Sequence, residues 1–117
     1  MPNKPITPTN RNTQVVNHVA LKMKAYHHGD ALKVQHFVRV YTLAKNIGEL
    51  EKLDEKEQLE VELAALLHSV EGDRVAVARD MLKAEGLEDA LCMHICHIID
   101  NQENYEHIAT QIGRAHV

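Results

Sequence analysis

Two histidines stand where a simple helical core would carry leucine. His36 falls in a helical stripe with Leu32, Val40, Leu43 and Ile47, and His68 ends the run Leu63, Ala64, Ala65, Leu66, Leu67. At about 100° per residue, the apolar side chains from Val61 to Leu67 point in nearly every direction, so this segment reads as a helix buried among others. Imidazoles on consecutive helices can meet across the interface, the arrangement that metal sites inside helical bundles use. The other reading of each is a hydrogen-bonded core histidine.

The chain has nine histidines. His94 and His97 lie among Cys92 and Cys96, and thiolate with imidazole is a zinc donor set. On one helix, however, the cysteines share a side with Leu91, Ile95, Ile98 and Ile99, while the two histidines and Asn101 take the other. All four cannot bind one ion, and small buried hydrophobes with surface imidazoles are expected. Cysteines four apart on a helix are also poorly placed for a cross-link and suit a reducing compartment. His27 and His28, at a helix boundary near Asp30, read as loop polarity. There is no glycine-rich phosphate loop and no internal repeat.

Five helices, with a turn or two of a sixth, are needed to position these groups. Residues 1–12 contain all three prolines and read as a flexible arm. From Thr13, Val15, Val16, Val19 and Met23 keep helical spacing to about Tyr26. Asp30 caps a second helix to about Ile47, and Asp54 with Glu57 has the outline of a capping box for the third. That third helix ends near Ser69, before Glu71, Gly72 and Asp73. A fourth runs from about Arg74 to Glu85, with Val75, Ala78, Met81 and Leu82 inward and Gly86 as its C-terminal cap. A fifth runs from about Glu88 to Asn101. Ile108 and Ile112 suggest one more short helix, residues 13–112 form the helical domain, and 113–117 are a tail.

At 117 residues the chain supports one hydrophobic core. Aromatic residues are only 3% and Trp is absent, so the core is built from Leu, Ile, Val, Ala and Met, which favours an all-α fold. A net charge of −4 without a basic stripe argues against nucleic-acid binding, which relies on cationic neutralisation of phosphates. No apolar run reaches the roughly 18 residues of a membrane span, and the N-terminus lacks a signal peptide's apolar core. A cytoplasmic protein is expected.

The segment Asp30, His36, Arg39, Val40, Leu43, Ala44, Ile47, followed by Leu63, Ala64, Ala65, Leu66, Leu67, His68, resembles the HD-domain phosphohydrolase superfamily. That family's first histidine is followed by "xxRV", here His36-Phe37-Val38-Arg39-Val40. Its "AALLHD" box reads here as Ala64-Ala65-Leu66-Leu67-His68-Ser69. Cys96-His97-Ile98-Ile99-Asp100-Asn101 is similar to a "CHIIEN" stretch of small members. The resemblance covers residues 25–105 and implies an all-α, HD-domain-like bundle of five to six helices. It implies also two histidines and two aspartates holding a divalent metal that activates water against a phosphate ester.

Carried over by position, His36 and His68 are the metal-ligand candidates, and imidazole with carboxylate suits Mn, Fe, Ni, Co or Zn. Arg39, Ser69 and His97 are candidate pocket residues. Ser69 stands where the name-giving aspartate belongs, and a hydroxyl cannot supply the anionic ligand. No aspartate follows Asp100 in the sequence, and Gln102 replaces a further histidine of small family members. Asp100 is a weak candidate for the missing carboxylate, since helical phase turns it away from the apolar face. No firmly bound cofactor is expected unless the metal site is complete. The sequence therefore points to a degenerate HD-like module, for ligand binding or interaction, with a phosphate-containing small molecule as ligand. The alternative is an active phosphohydrolase completed by a non-standard or inter-subunit carboxylate. A homodimer is expected, because family members pack further helices over the face that these helices would leave bare.

Overall fold

A computed structural model describes residues 8–70 and 73–101. The described residues form five α-helices and no strand: α1 (Pro8–Tyr26), α2 (Ala31–Leu50), α3 (Glu55–Leu67), α4 (Arg74–Ala84) and α5 (Asp89–Asn101). The fold is all-α. The expected sixth helix through Ile108 and Ile112, the tail 113–117 and Gln102 lie outside the described residues.

The helix whose last five residues, Leu63 to Leu67, are all apolar is the hub. α3 packs against α1, α2 and α5, and α4 joins through α5 and α1. Leu63, Ala64, Ala65, Leu66 and Leu67 are all buried. Around Leu63, Ala64, Leu66 and Leu67 sit Val15, Val19 and Met23 of α1, Ala78 and Leu82 of α4, and Cys92, Ile95, Cys96 and Ile99 of α5, while Ala65 packs with Val40 and Ala44 of α2. Burying each leucine, isoleucine, valine or methionine among them is worth roughly 1.5–3 kcal/mol before the cost of ordering the chain.

Helix ends are set by local chemistry. The Asp30 carboxylate accepts from the Leu32 and Lys33 amides at 3.0 and 3.1 Å, and the Asp54 carboxylate from the Glu57 amide at 2.8 Å. Asp73 does the same for the Ala76 amide at 3.3 Å. Gly86 ends α4 in the left-handed region at φ +76°, a conformation glycine adopts without steric cost.

The expected arm 1–12 is corrected in part, because α1 begins at Pro8 rather than near Thr13. Proline suits a first helical position, where its fixed φ fits and its missing N–H would go unused. The Asn12 side chain ties this turn to the start of α3 by donating to the Glu55 carbonyl at 3.4 Å.

A second correction concerns α2. Its buried face is Phe37, Val40, Ala44 and Gly48, whereas Leu32 is 78% exposed and His36 and Leu43 are also exposed. The buried seam lies one residue, about 100°, round from the expected one. Small residues decide it: Ala44 and Gly48 allow α2 to lie close on α3, and a Cβ at Gly48 would collide with the Gln58 side-chain amide. That amide is itself engaged, donating to the Lys45 carbonyl at 3.2 Å and to the Glu62 carboxylate at 2.7 Å. Among the described residues no helix is long and apolar enough to cross a membrane.

Candidate functional site

The α1–α2 junction and the end of α3 come together at one end of the bundle. At the first, α1 closes with a hydrogen-bonded turn. The His28 amide donates to the Ala25 carbonyl and the Gly29 amide to the Lys24 carbonyl, with φ of +54° and +71° at His28 and Gly29. This is the paired pattern of a Schellman motif. The turn leaves His27 directly beyond α1, in phase with Met23 and Val19, and the chain restarts at the Asp30 cap.

His27 is consequently interior, at 6% exposure. Its ring meets Tyr26 edge-on at 4.9 Å and stacks on Phe37 at 6.1 Å. Its Nε2 lies 3.1 Å from the Ser69 Oγ. Ser69 is placed by the end of α3, where His68 serves as C-cap and the Val70 amide returns to the Leu67 carbonyl at 3.1 Å.

His36 reaches the same place from the second turn of α2. Its ring centroid is 5.3 Å from that of His68, with 43° between the planes. A cleft of about 300 Å³ opens here, lined by His27, Leu32, Lys33, His36, His68 and Ser69. Three imidazoles, an ammonium and a hydroxyl share it with the apolar side chain of Leu32 and the carbon stems of their neighbours, and none of these lining residues is a carboxylic acid.

His36, His68 and Ser69 are thus brought together. Arg39, His97 and Asp100 are exposed and do not line the cleft. Asp100 lies on the outer side of α5, the direction given by its helical phase. The cleft also contains His27, whose expected place as loop polarity is corrected by its burial, and Lys33, which the sequence did not single out. The apolar phase of Val19 and Met23 runs on to His27, and Lys33 precedes His36 by one helical turn.

A divalent metal fits this donor set poorly. The resemblance implies two imidazoles and two carboxylates, and the cleft presents imidazoles beside an ammonium. Among the described residues no group of three His, Cys, Asp or Glu side chains is arranged to hold a metal ion. Cys92 and Cys96 lie in the core with their thiols directed at the Leu87 and Val75 carbonyls, at 3.7 and 3.8 Å. Burial pushes both thiols above their ordinary value, which favours the neutral form over the thiolate that zinc requires. His94 turns away from them to Glu60, 2.6 Å from its carboxylate.

No family model matches the chain, and neither a curated protein nor a solved structure matches it significantly.

Proposed function

We infer that this chain is a small helical module, related to the HD-domain phosphohydrolases, that binds a small phosphate-containing molecule and has lost metal-dependent hydrolysis. The observation that carries this reading is the cleft itself. His36 and His68 approach to 5.3 Å, Ser69 occupies the position of the expected carboxylate, and Lys33 supplies positive charge instead. An anion gains from such a lining through charge-assisted hydrogen bonds. A metal cation gains little, because hydroxyl and ammonium are no substitute for carboxylates.

Titration of the full chain with inorganic phosphate and with a nucleoside monophosphate, followed by imidazole NMR signals, tests the reading. Saturable shifts of the His36 and His68 signals in the presence of EDTA are expected. Stoichiometric Mn, Fe, Ni, Co or Zn in protein purified without chelator, lost on His36→Ala, would overturn the reading and restore the active phosphohydrolase.

A further inference from the structure

The contact between Ser69 and His27 plays no part in holding a phosphate, yet it joins a hydroxyl to a base at the wall of an open cleft. We propose that Ser69 is a nucleophile activated by His27, giving the cleft a metal-independent hydrolytic activity towards small, negatively charged carboxylic esters.

The first requirement is a base within hydrogen-bond reach of the nucleophile. Ser69 Oγ and His27 Nε2 are 3.1 Å apart, so the hydroxyl can donate to the imidazole. The second is a base held in one orientation. His27 is 6% exposed, Tyr26 abuts its ring at an interplanar angle of 79° and Phe37 stacks on it at 28°. Packing on two sides fixes the imidazole plane, and the turn through His28 and Gly29 fixes its backbone.

The third requirement is a space for the ester beside the nucleophile. Ser69 is half-buried and lines the cleft of about 300 Å³, at the lower end of small-molecule sites. Lys33, His36 and His68 line the same space and are the side chains nearest the oxygen on which negative charge would develop. With no acid among these lining residues and a lysine present, an ester that itself carries a carboxylate is favoured over a neutral one.

The chemistry balances without a metal or a redox partner. Ser69 Oγ attacks the carbonyl carbon as its proton passes to His27 Nε2, and the carbonyl electron pair moves onto oxygen. Return of that pair expels the alcohol, which takes the proton from His27. Water then attacks the acyl-serine with His27 again as base, releasing the carboxylic acid and restoring the Ser69 hydroxyl. The sum is ester plus water to acid plus alcohol.

The cleft is shared with the ligand-binding reading, but the two are separable: phosphate titration tests that reading, and covalent labelling tests this one. The full chain in EDTA is treated with a fluorophosphonate reagent and digested for mass spectrometry, and hydrolysis of 4-nitrophenyl acetate and mono-4-nitrophenyl succinate is followed. A single adduct on Ser69 is expected, with faster turnover of the succinate. Ser69→Ala abolishes both. His27→Gln slows both by on the order of 100-fold or more, the scale of lost general-base catalysis. Absence of an adduct on Ser69 overturns the proposal, as does unchanged turnover in Ser69→Ala. If His27→Gln does not fold, the Ser69→Ala turnover and the adduct site decide the matter on protein whose fold is checked by circular dichroism.

Discussion

His36 and His68 face each other with ring centroids 5.3 Å apart, although His36 is exposed and His68 is 9% exposed. One imidazole stands at the rim of the cleft and the other forms its floor. The pair therefore divides its labour unequally between fold and site.

That asymmetry separates the two in a mutation series. His36→Ala removes an exposed side chain and should change unfolding free energy by no more than about 0.5 kcal/mol. His68→Ala empties a packed position at the end of α3 and should cost about 1–3 kcal/mol. Both variants should lose phosphate binding. Urea unfolding of the pair beside the parent protein checks the split, and equal costs would contradict the burial difference.

Ser69→Asp places a carboxylate beside His68 in the cleft that His36 lines. Metal affinity depends on an anionic oxygen joining the imidazoles, so this variant should bind Mn or Zn at least about tenfold more tightly than the parent, a change of about 1.4 kcal/mol. Calorimetric titration with each metal measures it. No gain would mean that the two rings do not present their nitrogens to a common point.

Glu85 fastens α4 to α1 through His18 and Lys22, each at 2.8 Å. Burial alone would raise its carboxyl, but the hydrogen bonds and charges of Lys22 and His18 outweigh burial and hold it below the ordinary value. A lowered carboxylate contributes stability that is complete above the unfolded value of about 4.3 and is lost as pH falls through the folded one. Glu85→Gln should therefore cost about 1 kcal/mol near neutrality. The difference from the parent should close as pH falls through the lowered value of the folded carboxyl, which thermal unfolding from neutrality into the acid range will show.

Much of the bundle was legible because its signals are local. Asp30, Asp54 and Gly86 announce helix ends through chemistry confined to one turn, and the apolar run Leu63 to Leu67 at the end of α3 requires neighbours whatever they are. The face of α2 was not legible in this way. Leu32, His36, Leu43 and Ile47 satisfy the helical period as well as Phe37, Ala44 and Gly48 do, and the choice rests on how closely Gly48 approaches Gln58 across the interface. His27 was missed for a related reason. It follows the last helical residue, and only the turn that places His28 at φ +54° keeps it in line with Met23.

Lys52 ends α2 in the left-handed region at φ +56°, with its amide on the Glu49 carbonyl at 3.1 Å and the Leu53 amide on the Gly48 carbonyl at 3.1 Å. A side chain there crowds the following carbonyl, and glycine does not. Lys52→Gly should raise stability by about 0.5–1 kcal/mol, after allowing for glycine's greater freedom in the unfolded chain. Chemical denaturation measures it, and a loss of stability would mean that the lysine stem contributes more than its backbone costs.

Glu60 is a carboxylic acid on the central helix at 6% exposure, held by His94 of α5 at 2.6 Å. Burial raises its carboxyl above the ordinary value, and the attraction of His94 and Lys56 offsets this only in part, with Glu57 and Asp54 adding repulsion. A group whose folded value is raised contributes stability below its unfolded value and loses it as pH rises through the folded one. Above its folded value the ionised Glu60 therefore works against the fold, because desolvation of a charge outweighs a pairing that is half in solvent. Glu60→Gln keeps the shape and an acceptor for His94 while removing the charge. Its melting temperature should exceed the parent's at about pH 8, and the excess should vanish at about pH 4, where the parent's carboxyl is protonated. A variant that melts lower at pH 8 would show that the contact between Glu60 of α3 and His94 of α5 stabilises more than its burial costs.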